Sequence, residues 1–279
     1  MIYLRAFLAT ILAILCIAVL VGGHIHWNNK ISEAVKQPAA EAVKDNEAKE
    51  SKKENKQESK KDEQNSDEEK HAALLAYAAN WPEKAVQGLE QALKDGRPYK
   101  IVFAGSESLG TGDNSWPMLV QKALADTYGQ SVFTFEVYSY PFSTYQYLNA
   151  GKEKELAEAK ADMIILEPFT LNDNGILPIE MSEKNLDTII DAVQSAKGDT
   201  VIILQPPHPL YNASYYQNQV TSLEAYAENR GLTFINHWEA WPPLDSKEIN
   251  DYLTEDREAP NAKGHKVWAD YLIDYLIAK

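Results

Sequence analysis

Short, wholly apolar segments alternate with helical segments along most of this chain, and this alternation constrains the fold more than any other feature. "MIIL" at 163–166 and "VIIL" at 201–204 contain no polar residue. Continuous apolar runs of this length are typical of strands that are buried on both faces of a sheet. Because helical segments lie between the strands, the pattern predicts a doubly wound, mostly parallel sheet.

The predicted elements follow one another in strict alternation after residue 98. Strands are predicted over 99–105, 131–139, 161–168, 200–207 and 232–238. Helices are predicted over 71–96, with a break near Trp81-Pro82, and over 116–129, 143–160, 182–198, 214–230 and 261–279. The segment 182–198 starts with a serine and ends with a glycine, the residue types that often bound a helix.

The amino-terminal segment predicts a membrane anchor. Residues 6–23 are apolar and uncharged, and roughly 18 residues in a helix span about 27 Å, close to the hydrocarbon thickness of a bilayer. Arg5 precedes the segment and favours a cytoplasmic amino terminus. We therefore expect residues 1–30 to form a single-pass signal-anchor in the cell membrane, with the rest of the chain on the extracytoplasmic face. A cleaved signal is the alternative.

The charged segment that follows predicts a tether. Residues 31–70 are mostly Lys, Glu, Asp, Gln, Asn and Ser, so they have little apolar surface to bury and are expected to form a disordered linker. The globular domain is expected over 71–279. The net charge of the chain, -14, argues against nucleic acid as a partner because acidic surfaces repel phosphate backbones.

The residue inventory argues against a cofactor or a metal site. Cys16 is the only cysteine, which excludes an intrachain disulfide and a thiolate cluster. No two histidines stand four apart on one helix with an acid nearby, so no metal is expected. The turn after the first strand is a poor phosphate cradle, which argues against the alternative of a flavin-binding, flavodoxin-like protein.

Parallel α/β sheets bind ligands beyond the carboxyl ends of their strands. These ends lie at 105–113, 139–145, 168–175, 206–211 and 238–261. In the first of these stretches Ser106 and Ser108 stand in a glycine-rich turn. A serine at a tight strand-to-helix turn can be an exposed nucleophile, or it can cap the helix that follows.

The other strand ends offer an amide and several ionisable groups. Asn172 can donate a hydrogen bond to an oxyanion, although "NDNG" is also strong turn chemistry. Histidines near strand ends are candidates for a general base. His237 is interpreted as a packing residue, His208 as part of a rigid loop, and His265 as a residue at the start of the last helix.

Three motifs, taken together, resemble those of the SGNH/GDSL hydrolases. They are "GSESLG" at 105–110 after the first strand, "TLND" at 170–173 after the third, and "DREAPNAKGH" at 256–265 before the last helix. The resemblance covers 99–279 and implies a three-layer, flavodoxin-like α/β domain. It also implies a serine esterase that acts without a cofactor.

The resemblance assigns roles to particular residues. It makes Ser108 the nucleophile, with Ser106 as the alternative in a register shifted by two. It makes Asn172 an oxyanion donor and Asp256 the catalytic aspartate that accompanies the base. Ala259 stands where the family has its base histidine, so His265 is taken as the replacement base. The alternative is a Ser-Asn dyad without an efficient base.

Further departures from the family pattern concern the oxyanion site and the first motif. Glu107 replaces the family's aspartate and Ser106 replaces its glycine, while Thr170 replaces the glycine before the oxyanion Asn. The family's second oxyanion donor, a glycine, has no clear match, and Ser143 or Thr144 falls near it.

The sequence therefore predicts an extracytoplasmic esterase or acyl hydrolase that acts on an acylated cell-envelope glycan or lipid. The rival hypothesis is a catalytically impaired module on the same fold that binds an envelope glycan or a partner protein. Ala259 is the main support for this rival.

Overall fold

The computed structural model describes residues 67–279. In this part of the chain five parallel strands form one sheet in the order β2-β1-β3-β4-β5. The strands are β1 (Tyr99–Gly105), β2 (Phe133–Ser139), β3 (Met163–Leu166), β4 (Val201–Leu204) and β5 (Thr233–Phe234). The prediction of a parallel, doubly wound sheet is confirmed.

Eight named α-helices and three short 3₁₀ segments connect and cover the strands within 67–279. The α-helices are α1 (Glu83–Lys94), α2 (Trp116–Tyr128), α3 (Thr144–Asn149), α4 (Lys152–Glu158), α5 (Thr170–Asp173), α6 (Ile179–Ala196), α7 (Ser214–Asn229) and α8 (Ala262–Leu276). The 3₁₀ segments are Glu107–Leu109, His237–Ala240 and Lys247–Tyr252. Residues 67–77, ahead of α1, are also helical.

Strands β3 and β4 are apolar throughout because both faces of the sheet are covered at these strands. All four residues of β3 and all four of β4 are buried. In β1, Ile101 and Phe103 belong to one core cluster, whereas Val102 and Ala104 belong to the other. This alternation follows from the two-residue period of a strand. The chain therefore forms three layers, with the sheet between two layers of helices.

The two helical layers consist of different parts of the chain. The first cluster contains Leu89 of α1, Val120 of α2 and Leu272 of α8. The second contains Leu156 of α4 and Ile189 of α6, and α3 and α7 also contribute to it. The connections thus place α1, α2 and α8 on one face and α3, α4, α6 and α7 on the other.

Several predicted boundaries shift for local reasons. The segment predicted as one helix over 143–160 is two helices, because Gly151 adopts a left-handed conformation (φ 68°) between them. Helix α6 begins at Ile179 after Pro178 rather than at Ser182. The fifth strand has two residues, and the chain then enters the 3₁₀ segment at His237.

The predicted membrane anchor (1–30) lies outside the described residues, as does the predicted linker up to residue 66. Within 67–279 we find no helix with the length and apolarity needed to cross a bilayer.

Candidate functional site

The first strand-end turn follows an interior strand of the sheet. Strand β1 pairs with β2 on one side and β3 on the other. The chain therefore leaves β1 towards one edge of the sheet and leaves β3 towards the opposite edge. Such a reversal point opens a crevice at the carboxyl ends of the two strands, where doubly wound proteins bind their ligands. The turns that carry Ser108 and Asn172 flank this crevice.

Ser106 stabilises the turn rather than facing a base. It is the N-cap of the 3₁₀ segment, and its Oγ accepts a hydrogen bond of 3.2 Å from the Ser108 amide. Its own N–H donates to Glu167 Oε2 at 2.7 Å. Ser106 is 1% exposed. Its hydroxyl therefore acts as a helix cap, which was one of the two alternatives left open by the sequence.

Ser108 makes the contact that defines the site. Its Oγ lies 3.0 Å from Nδ1 of His208, and this hydrogen bond is buried. His208 follows β4 in the segment "QPPHPLYN". A hydroxyl that is hydrogen-bonded to an imidazole nitrogen is the arrangement of an activated nucleophile.

Burial keeps the His208 ring neutral. The side chain is fully buried, and desolvation lowers its pKa to about 4. The Arg257 backbone opposes this shift, whereas a positive charge on His265 would add to it. Nε2 has no hydrogen-bond partner of good geometry. At neutral pH the Nδ1 lone pair is therefore available to accept the Ser108 proton if Nε2 carries the ring hydrogen.

His265 lies against the same turn from another direction. A Cβ added to Gly110 would come within 2.5 Å of its Cε1 and Nε2 atoms, so the ring packs on the Gly110 backbone. Gly110 also has a φ of 73°, which glycine tolerates best. Burial lowers the pKa of His265 to about 4. Among residues 67–279 its side chain has no hydrogen bond to Ser108, and its Nδ1 has no partner.

The third motif does not bring a carboxylate to either histidine. Asp256 is exposed, and it accepts hydrogen bonds from the Thr254 hydroxyl at 2.6 Å and the Glu258 amide at 3.1 Å. These bonds lower its pKa. In the described chain no carboxylate is hydrogen-bonded to His208 or His265. The Asp256 side chain therefore organises its own loop, which differs from the role that the resemblance implies.

Asn172 lies on the short helix α5 after β3. The residue before this helix, Phe169, is fully buried and has a left-handed φ of 61°. Next to Asn172, buried Asp173 accepts bonds from the Thr144 amide at 2.8 Å and the Thr144 hydroxyl at 2.7 Å. These contacts fix α5 to α3. The Asn172 side chain is half-buried and makes no hydrogen bond to residues 67–279, so its amide is available to a ligand.

The two candidates for a second oxyanion donor are already hydrogen-bonded. The Ser143 amide donates to Gln146 Oε1 at 2.9 Å, in a capping box at the start of α3. The Thr144 amide donates to Asp173. Neither N–H is directed at the crevice, because both stabilise helix starts.

Ser108 and Asn172 share one open pocket. Its volume is about 350 Å³. It is lined by Ser106, Glu107, Ser108, Leu171, Asn172, Leu210, Arg257 and Glu258. It therefore brings the predicted nucleophile and oxyanion donor together with the loop that contains Asp256, although Asp256 itself is not in the lining.

His237 is a packing residue, as the sequence indicates. Its Nε2 bonds to the Pro206 carbonyl at 2.8 Å, and its Nδ1 accepts from Trp241 Nε1 at 3.0 Å. The ring also stacks on Trp268 at 4.0 Å between centroids. With both nitrogens occupied, it has no free site for a substrate proton.

His208 is the residue that sequence reasoning missed. The strand-end rule includes 206–211 among the sites to inspect, but the two prolines around His208 suggested a rigid loop. The family resemblance directed attention to 256–265 instead. The missed indication was that rigid flanking residues can hold a histidine in place at the carboxyl end of an interior strand.

No group of His, Cys, Asp or Glu side chains within 67–279 is arranged to hold a metal ion. No protein-family model and no curated protein sequence matches the chain. Solved structures do match it. A peptidoglycan O-acetylesterase is similar over 72% of this chain and 97% of its own, with a TM-score of 0.58 and 13% identity.

The described domain has the SGNH/GDSL hydrolase fold. A carbohydrate esterase family 3 protein from Talaromyces cellulolyticus covers 64% of this chain and 96% of its own, with a TM-score of 0.53 and 13% identity. A protein from Parabacteroides merdae, described as a GDSL-like lipase, covers the same shares with a TM-score of 0.52 and 14% identity. The SGNH-type fold implied by the three motifs is thereby confirmed.

Proposed function

We propose that this SGNH-fold domain is a serine esterase that removes a small acyl group from an envelope glycan. The observation that carries the proposal is the buried 3.0 Å hydrogen bond between Ser108 Oγ and His208 Nδ1. It joins a nucleophile to a proton acceptor at the carboxyl ends of two interior strands. Asn172 lines the same pocket and supplies a hydrogen-bond donor with no other partner in the described chain.

The chemistry follows from these three groups. Ser108 Oγ attacks the ester carbonyl while its proton moves to His208 Nδ1, and the carbonyl oxygen becomes an oxyanion that accepts a bond from Asn172 Nδ2. The bond between the acyl carbon and the sugar oxygen then breaks, and His208 returns its proton to the leaving sugar hydroxyl. A water molecule hydrolyses the acyl-serine by the same steps and releases the acid. In this mechanism His208 has the role of base that the family resemblance implies for His265.

The identity of the substrate rests on the shape of the pocket and on the fold. The pocket is open, and Leu171 and Leu210 contribute apolar surface beside Ser108. This suits a short acyl group on a bulky carrier better than a long chain buried in a tunnel. Two of the similar structures are esterases named for carbohydrate or peptidoglycan. The apolar segment 6–23 supports a position at the outer face of the membrane.

A binding module remains the second candidate, because one observation favours it. His208 has no carboxylate partner, and its pKa of about 4 makes it a weak proton acceptor at neutral pH. In this alternative Ser108 and Asn172 contact a glycan without cleaving it.

Fluorophosphonate labelling of the full chain in detergent tests the proposal. We expect one adduct on Ser108 by peptide mapping, no adduct in Ser108→Ala, and a retained adduct in the matched control Ser106→Ala. Acetate release from O-acetylated peptidoglycan and acetylated xylan then identifies the glycan. A folded chain without an adduct or acetate release, but with retention on acetylated glycan beads, would establish the binding module instead.

A further inference from the structure

Glu167 is a buried carboxyl group that the mechanism above does not use. It follows β3 and is 0% exposed. Its Oε2 accepts the Ser106 amide at 2.7 Å, and its Oε1 accepts the Phe169 amide at 2.9 Å. One side chain therefore joins the turn that holds Ser108 to the turn that holds Asn172.

Both turns depend on this side chain. Ser106 donates its amide to the carboxylate, and its hydroxyl accepts the Ser108 amide, so Ser106 links Glu167 to Ser108. On the other side, the Phe169 amide belongs to the residue whose left-handed backbone starts α5. Left-handed backbone at a buried aromatic persists only where its surroundings impose it.

The space around Glu167 leaves little freedom for relaxation. A Cβ at Gly105 would meet the Glu167 carbonyl oxygen at 2.7 Å and its Cβ at 2.8 Å. The two strand ends are therefore in direct contact beneath the crevice. A change in the Glu167 hydrogen bonds has to be absorbed by the two turns, because the packed strands cannot move apart.

We propose that the Glu167 carboxylate is a positioning residue that sets the distance between the Ser108 nucleophile and the Asn172 oxyanion donor. The carboxylate accepts both turn amides at once. When it is protonated, one oxygen becomes a donor and can no longer accept an amide hydrogen. The proposal deepens the esterase function and rests on it.

The surroundings make this switch accessible near neutral pH. Burial raises the pKa of Glu167 to about 7, opposed by its bonds to Ser106 and Phe169 and reinforced by nearby Asp173. The other ionisable group facing it is the Tyr216 phenol on α7, whose own pKa the Glu167 charge helps to raise. No Lys or Arg within 67–279 pairs with Glu167. His208, with a pKa of about 4, titrates well below it.

The test is the pH profile of kcat for the full chain and for Glu167→Gln. Near pH 8 we expect the variant to have a kcat up to about a hundredfold lower, the loss typical of misplaced reacting groups, with little change in KM. Below about pH 6 the two profiles should converge, because a protonated Glu and a Gln each keep one carbonyl acceptor and have a donor group in place of the second carboxylate oxygen. Glu183→Gln is the matched control, since Glu183 on α6 also has a raised pKa but forms no hydrogen bond with the Ser106 or Phe169 amide.

The outcomes separate the two proposals. An acid limb near pH 7 that persists unchanged in Glu167→Gln, in an active enzyme, would overturn the positioning role. If the native chain has no activity at any pH, the esterase function fails. The titration of Glu167 is then tested by comparing the melting temperatures of the native chain and Glu167→Gln across pH. The folded pKa of Glu167 lies above its unfolded value of 4.5. The stability of the native chain should therefore decrease, relative to that of the Gln variant, as the pH rises from about 5 to 8. A pH-independent difference would then overturn the proposal.

Discussion

His208 and His237 are buried to the same degree but differ in what surrounds their ring nitrogens. Both are 0% exposed, and desolvation lowers the pKa of each, to about 4 and about 3 respectively. His237 uses both nitrogens for bonds to Pro206 and Trp241. His208 bonds to the Ser108 hydroxyl and leaves Nε2 without a partner of good geometry. Burial alone therefore does not distinguish these two histidines, whereas the partners of their ring nitrogens do.

The largest effect is expected when His208 is replaced. In His208→Ala the rate of Ser108 labelling should fall by roughly 10²- to 10⁴-fold, the usual contribution of a general base. Its circular dichroism spectrum should stay native. The measurement is the time course of fluorophosphonate adduct formation by intact mass. Labelling at the native rate would show that the Ser108–His208 bond has no role in activation.

Replacing His237 should affect folding instead. His237→Ala removes two buried hydrogen bonds and the stacking contact with Trp268. We expect the free energy of unfolding to fall by about 3 kcal/mol, measured by urea denaturation. The folded fraction should still be labelled at a rate close to that of the native chain. Stability close to the native value, or a selective loss of labelling, would remove the distinction between the two histidines.

The pH dependence of stability should reflect the lowered pKa that His208 and His237 share. Their folded pKa values lie below the unfolded value of 6.5, and the same holds for His265. The unfolded chain therefore binds more protons, so the stability contributed by the neutral rings is lost as the pH falls from about 6.5 towards 4. Glu167 has the opposite effect on stability, because its pKa is raised in the folded chain and its contribution is lost as the pH rises.

Melting temperatures measured between about pH 7 and pH 5 check this expectation. The native chain should melt at a lower temperature at the acidic end, and the decrease should be smaller in His237→Ala because one of the three groups is gone. Parallel curves for the two proteins would show that His237 titrates normally in the folded chain.

The smallest effect is expected at His265. Its ring packs on Gly110 but forms no bond with Ser108 in the described chain, so His265→Ala should slow labelling less than about tenfold. Loss of the ring should also raise the pKa of His208, since a charge on His265 lowers it. Labelling rates across pH measure both effects. If labelling is abolished here and unaffected in His208→Ala, the base is His265, as the sequence predicts.

The sequence by itself determined the architecture of the domain. Strands β3 and β4 are apolar at every position because both of their faces are covered. Burial on both faces can therefore be predicted from four consecutive apolar residues. The rule that ligands bind at strand ends also placed Ser108 and Asn172 at one edge. Local hydrophobicity and chain order suffice for such inferences, since each depends on neighbours in sequence.

Only the tertiary structure decided which side chains meet. His208 lies 100 residues from Ser108 in the chain, and Glu167 lies 61 residues from Ser106. Neither pairing leaves a local pattern, because the register of the parallel strands brings these residues together. The loop around Asp256 illustrates the converse. Its motif resembles a catalytic segment, but the Thr254 hydroxyl and the Glu258 amide occupy the carboxylate, and this side chain faces solvent instead of an imidazole.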